Sequence, residues 1–590
     1  MGWLVKTMNK LRVAVLQFAS TLNVEENLDT CLRMLAKGAE VKPNLMVMPE
    51  FCNALSWYEN QEHAWQLALD LDGEFLNAIA KSAKKFNSYV VINVSLRRTY
   101  PDITVTSCLF SPEGELLVTA DKQTLMGHEN DFFVRASTES PVIATKYGKL
   151  GIFPCRDGVT FETPRSLALR GAQLFCDSLN SFAIDEASLH VPARAPENKV
   201  FLAAANKVGP LIPEEILSDV AQATNIPEKF LMGAGESQIV DPNGKVLAKA
   251  PANTEAVVYA DIDLSLANSK RRPDGTDLFA NRRPELYQQI AADAAQVDCS
   301  GGANTVDVSL FQGVDTADSD ELIYGENQIE QVVKYVKSQA AKLIVLPELF
   351  FAKNAQVGNI KTAESLSQQA ITSIADALNK EQVIATSIVI EETLVAVLIS
   401  QEGILFSQPL LHFCQRHGWS NHGAELRTFD SPLGRIALLT GDDASYPEIV
   451  KVAALKGVHI LVCPIDIQEP WEAQYGLLSR AAENRICVVS SSRTKHFDDV
   501  EYAGVIATLE RDFTILTPWQ ERKFDGYINN PLVTQQVSHS TLATIHPHAA
   551  TNKLMSANTD LLAHRPWQPT ATLVKALEAE NTEIGLSHYG

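Results

Sequence analysis

Residues 43–51 read PNLMVMPEF and residues 341–350 read AKLIVLPELF, two apolar runs of strand length that each end at Pro-Glu. Glu348 lies 298 positions after Glu50. Further along, GIFPCRD (151–157) followed by TPRSLALRGAQLF (163–175) returns as ALLTGDD (437–443) followed by EIVKVAALKGVHIL (448–461). ARAPEN (193–198) returns as SRAAEN (479–484), so that Gly441 falls 286 positions after Cys155 and Arg480 falls 286 after Arg194. NRRPELY (281–287) has a weaker echo in AHRPWQP (563–569). Four matches in one order at nearly one offset predict two copies of a single domain.

Each copy alternates short apolar strands (RVAVLQF, YVVINVSL, VFLAAAN; VDVSLFQ, QVIATSIVI, CVVSSS) with segments of helical period such as VEENLDTCLRMLAKGAE and NQIEQVVKYVKSQA. That alternation predicts layered α/β domains, sandwiches of sheets and helices. The 590-residue length fits this duplication, because single cores stop growing near ~250–300 residues. AADAAQVDCSGGANTV (291–306) is aperiodic and rich in small residues, which places a linker there: the domains run over 10–288 and 305–575, joined by 289–304. Its SGGAN resembles a pyrophosphate-binding SGGxDS loop, but Asn304 and Thr305 stand where Asp and Ser are needed and no strand precedes it.

The composition is that of an ordinary globular chain, with 46% hydrophobic and 21% charged residues. A formal charge of −21 repels phosphate backbones and anionic lipid, so nucleic acid and membrane surfaces are not expected partners. Nine cysteines without a CxxC pair suggest neither a disulfide framework nor a zinc ribbon. With no export signal read at the N-terminus and no apolar run of membrane length, a cytoplasmic location is expected.

Three positions in the first copy carry reactive chemistry. Cys155 sits on a strand-to-helix turn, where backbone amides and the positive helix end are expected to favour a thiolate. Glu50 ends an apolar strand, where partial desolvation raises a carboxyl pKa towards the range of a general base. Lys122, in DKQTLMGHE, supplies a cation. Taken singly, each has a plain alternative: a small buried hydrophobe, a structural carboxylate, a solvated loop charge.

Together these strings resemble the nitrilase superfamily of carbon-nitrogen hydrolases, whose members carry Glu, Lys and Cys in this chain order. The resemblance covers most of residues 10–287. It implies an αββα sandwich for each half, two such sandwiches paired through matching faces as an internal pseudo-dimer, and no cofactor. It further implies Glu50 as base, Lys122 as electrostatic donor, Cys155 as nucleophile and Glu129, seven residues after Lys122, as a substrate-positioning acid. The reaction implied is hydrolysis of a small amide through a cysteine thioester, and nitrile hydrolysis, N-carbamoyl cleavage, acyl transfer or a purely ligand-binding role is an alternative. Arg156 departs from the family, which often has an aromatic residue there. Its guanidinium could support the thiolate and bind a substrate carboxylate, or it could face solvent or pair with Asp157.

The second copy has Gly441 where the first has Cys155, and neither lysine nor arginine in Gln408–Leu411, where the lysine should fall. Glu348 and Asp443 are retained. This half is expected to be a pseudoenzyme. His412, Cys414, His417 and His422 share one stretch that superficially suits zinc, but their spacing matches no known finger and no metal is expected.

Overall fold

A computed structural model describes residues 10–224, 226–293, 297–312, 320–498, 500–509, 533–534, 540–556 and 558–577. Residues 294–296 of the expected linker lie outside these. Each half contains two six-stranded sheets. In the first half one sheet centres on Leu11–Gln17, Leu45–Val47 and Tyr89–Arg97, all parallel, with Ala256–Ile262 returning antiparallel to Leu11–Gln17. The other centres on Gly148–Pro154, Leu174–Ser178 and Phe201–Ala205, all parallel. The second half repeats this order, and Ser540–Ile545 closes against Val306–Phe311 as Ala256–Ile262 does in the first.

These central strands are apolar on both faces because each sheet is covered twice. Val13, Val15, Leu45, Ile152, Leu174 and Ala203 meet between the two sheets of the first half, and Val308, Val345, Leu438 and Val462 do so in the second. The outer helices Val24–Ala39 and Glu74–Phe86 turn apolar stripes onto the first sheet through Met34, Leu35, Leu76 and Ile79. Asn23 starts the first of them by accepting hydrogen bonds from the amides of Glu25 and Glu26, so the helix begins where its free N–H groups find a side-chain oxygen.

On the other side, helices Glu162–Leu169 and Val191–Asn198 are buried on all faces, as are Pro447–Leu455 and Leu477–Asn484 in the second half, save Leu455. Their side chains form one core spanning both halves, in which Leu167, Leu189 and Ala195 pack with Ile449, Val450 and Ala481. Two αββα sandwiches are thus pressed together through their inner helices.

Charges at this face obey the same repeat. Arg194 binds Glu197 of its own helix at 2.7 Å and Glu483 of the other half at 3.0 Å; Arg480 pairs with its own Glu483 and reaches Glu197 at 2.6 Å. Nearby, Arg165 meets Glu448 at 2.9 Å and Lys451 meets Glu162 at 3.3 Å. All eight side chains are at most 1% exposed, and each buried charge has a partner of opposite charge in the other half.

The segments after the last sheet strands also cross over. From the first half, Arg283 donates to the carbonyls of Leu411 and Gly423, and Thr276 accepts from the amide of Gln415. From the second, Thr559 Oγ1 accepts the Gly127 amide at 2.9 Å, and Thr572 donates twice to Glu139.

Candidate active site

Cys155 follows the strand Gly148–Pro154 and precedes the single helical turn Arg156–Val159. Its backbone is at φ 40°, ψ −100°, a costly conformation for a residue with a Cβ, of order ~1–3 kcal/mol. The turn is held because the Cys155 amide donates to both Ser178 O and Asp177 Oδ1 at 2.9 Å. Asp157 then accepts the amides of Gln123 and Thr124 at 2.9 and 2.8 Å, fixing the lysine loop to the cysteine turn.

Glu50 leaves the end of Leu45–Val47, its amide bonded to Leu179 O. The fold buries Lys122 completely, and its ammonium lies 2.8 Å from Glu50 Oε1 and 2.8 Å from Glu129 Oε2. Glu129 is fixed in turn by the amide of Met126 at 2.9 Å. Lys122 is therefore a buried cation between two carboxylates and not a loop charge in solvent.

Burial pushes the Glu50 carboxyl up to about 7, against the pull of Lys122. Burial alone would lower the Lys122 pKa, but Glu129 and Glu50 outweigh it and keep the ammonium firmly charged. For Cys155 the surroundings work against the thiolate expected from the turn. Burial, and then the charge of Glu50, hold the thiol well above its usual range, while Lys122 opposes only in part. The helix behind it is one turn of four residues, too short for its dipole to compensate. The site thus biases Cys155 towards its thiol form, beside a carboxylate poised near neutrality.

Arg156 neither faces solvent nor pairs with Asp157: it is 3% exposed, and its Nε and Nη1 meet no acceptor among the described residues. Sequence reasoning missed Lys207, a buried side chain whose Nζ donates to Phe51 O at 2.9 Å and props the turn after Glu50. Its counterpart Arg493 donates to the carbonyls of Glu348 and Leu349. A cation 286 positions later in the repeat was a readable signal.

The same scaffold in the second half carries different groups. Asp443 accepts the amides of Leu411 and His412 as Asp157 accepts those of Gln123 and Thr124, which aligns Leu410 with Lys122 and His417 with Glu129. Gly441 keeps a positive φ of 59°, and a Cβ there would approach Leu410 Cδ1 to 2.6 Å. Glu348 accepts from His417 at 2.5 Å and from the Gly441 amide at 2.8 Å, with Arg416 Nε at 3.6 Å. Although burial works against it, His417 and Arg416 depress Glu348 to about 2. The missing lysine is thus answered electrostatically by Arg416 and His417, six and seven residues downstream. His412 bonds Asp443 and Tyr287, and Cys414 is buried, so the stretch that suits zinc in sequence is divided among separate contacts.

A family model described as carbon-nitrogen hydrolase matches residues 12–272 and again residues 321–522. The chain belongs to the carbon-nitrogen hydrolase family. It is accordingly a hydrolase of carbon-nitrogen bonds, built as a tandem repeat. A nitrilase of Pyrococcus abyssi is 26% identical over 279 residues, covering 47% of this chain and 99% of that protein. An omega-amidase of Danio rerio is 27% identical, covering 48% and 97%. An N-carbamoylputrescine amidase of Solanum tuberosum is 28% identical, covering 47% and 94%. Among solved structures, a mutant of the amidase from Nesterenkonia sp. AN1 in complex with butyramide aligns with 22% identity and a TM-score of 0.38, over 49% of this chain and 99% of that one. Each of these relatives thus matches about half of this carbon-nitrogen hydrolase.

Proposed function

We propose that the first half hydrolyses a small amide through a thioester on Cys155. The observation that carries this reading is the buried cluster in which Lys122 bridges Glu50 and Glu129 beside a nucleophile on a strained turn. Glu50, raised to about 7, takes the Cys155 proton as sulfur attacks the carbonyl carbon. Lys122 and the backbone amide of Arg156 stabilise the oxyanion. As the tetrahedral adduct collapses, the protonated Glu50 gives its proton to the departing nitrogen, which leaves as ammonia or an amine. Water then enters, Glu50 removes its proton, and hydroxide attacks the thioester carbon. Collapse expels the Cys155 thiolate, which recovers its proton from Glu50, and the carboxylic acid leaves. Glu129 holds the ammonium of Lys122 in line throughout.

The second half we read as a non-catalytic partner. Gly441 offers no nucleophile, Leu410 fills the lysine position, and Glu348 is locked as a carboxylate by His417. Its contribution is to cover the inner helices and to brace the loop before Glu129 through Thr559.

The test is to supply amides, nitriles and N-carbamoyl compounds and to follow ammonia together with intact mass. Wild-type protein is expected to release ammonia from an amide and to show an acyl adduct, and Cys155→Ala to show neither while keeping its thermal midpoint. Ammonia release by Cys155→Ala would overturn the assignment.

A further inference from the structure

The residue after the nucleophile position has opposite charge in the two halves, and its surroundings differ accordingly. In the second half Asp442 is paired at 2.6 Å with Arg416 and at 3.0 Å with Arg272, an arginine that crosses from the first half and also binds Glu472 at 2.8 Å. This position is electrostatically closed.

The equivalent residues of the first half follow from matched contacts. Lys270 donates to the carbonyls of Asn198 and Lys199, and Lys553 donates to those of Asn484 and Arg485. Lys270 and Lys553 therefore correspond, and Met555 takes the place of Arg272. Met555 crosses in the reverse direction and packs with Val159 and Met126. His128 takes the place of Arg416 and bonds Ser56 O. Glu186 takes the place of Glu472, and Arg156 that of Asp442.

The exchange leaves Arg156 facing three acids, none of which forms an ion pair with it. Asp157 is bonded to two backbone amides, Glu162 pairs with Lys451, and Glu186 lies under the field of His190 and Asp185. Arg156 is 3% exposed, and its Nε and Nη1 find no acceptor among the described residues. Two buried guanidinium nitrogens left without hydrogen bonds are costly, and the planar donor set fits a carboxylate. Crossing residues cannot supply the anion, because the one that neutralises this position in the other half is here a methionine.

We infer that Arg156 is the specificity-determining residue for a carboxylate carried by the substrate, so that the preferred substrates are amides bearing a second, anionic group. This rests on the first half being the hydrolytic one. The carboxylate can belong to the acyl part, as in a monoamide of a dicarboxylic acid, or to the nitrogen part, as in an N-acyl or N-carbamoyl amino acid.

Paired substrates decide it: each acid-bearing amide of either kind is compared with its neutral isostere by kcat/KM. In wild-type protein at least one kind is expected to exceed its isostere tenfold or more, with the excess falling as salt is raised. Arg156→Met should bring the ratio near one, chiefly through KM, and Arg156→Lys should retain part of it. A merely structural arginine would lower both substrates alike and leave the ratio unchanged. Turnover of neutral amides with no preference for acids overturns this inference and leaves the hydrolase reading standing. Should no amide be turned over, calorimetry of the same pairs on Cys155→Ala protein still decides, since tighter binding of the acid supports the subsite and equal binding overturns it.

Discussion

The two halves hold the same backbone around opposite electrostatic designs. In the first, a lysine lies between two carboxylates and one of these, Glu50, is poised near neutrality. In the second, a histidine replaces the second carboxylate, a leucine replaces the lysine, and Glu348 is driven to about 2. Both retain the turn after the glutamate, with φ of 51° at Phe51 and 42° at Leu349, and both retain positive φ at the nucleophile position. The strained turns therefore belong to the architecture, and the chemistry belongs to what is mounted on them. The halves also part in their connections. Between Phe201–Ala205 and Gln238–Val240 the first carries an excursion with its own small core around Ile226 and Leu231, whereas Cys487–Phe497 passes almost directly into Val500–Ala507.

The largest effect is expected when the first half receives the second half's residue. Lys122→Leu is expected to lower kcat by ~10²–10³, the usual cost of losing one preorganised donor to developing charge, and to leave two facing carboxylates whose repulsion raises the Glu50 pKa further. An unchanged kcat would detach Lys122 from the reaction. The difference between the carboxylates can be read directly by titration. Since Glu50 must be ionised to act and its pKa is raised from 4.5 to about 7, kcat/KM should fall about tenfold per pH unit below neutrality. A flat profile down to pH 5 would show that Glu50 is not the base.

The smallest effect on activity is expected from Glu348→Gln. It should change kcat/KM less than twofold yet cost ~3 kcal/mol of stability at pH 7, because the buried Arg416 loses its counter-charge. A carboxyl depressed to about 2 stabilises the fold above its ordinary pKa and stops doing so as pH falls towards 2, so the gap between the two melting curves should close in acid. A gap independent of pH, or a large loss of turnover, would require a role for the second pocket beyond packing.

Much of this was readable from sequence because the repeat and the reactive residues are local strings. The strand-Pro-Glu ends, the Cys155 turn and the two copies of the inner helix are each contained within a dozen residues, and hydrophobic periodicity sets their packing. What could not be read is what depends on distant partners. ARAPEN and SRAAEN were visible as a repeat, but only the fold shows that the acid of each answers the arginine of the other across 283 to 289 positions. The ionisation of Cys155 is hidden for the same reason: a local string reveals the following helix, whereas burial and the nearby Glu50 that work against a thiolate come from elsewhere in the chain. Arg416 and His417 escaped notice as the answer to the missing lysine because they lie one loop beyond the aligned position.

The buried pairs Arg165 with Glu448 and Lys451 with Glu162 occupy matching places, yet one uses a guanidinium and the other an ammonium. Identical chains assembled about a two-fold axis could not differ in this way, since every substitution would appear on both sides at once. Covalent fusion lifts that restriction. A change at residue 451 is made once, and the partner face at residue 165 is free to keep its own solution. Fusion also frees assembly from dilution, because two halves joined by a short connection face each other at a local concentration of about millimolar however scarce the protein is. A homodimer forfeits its interface when protomers become rare. This chain meets its partner as soon as it folds.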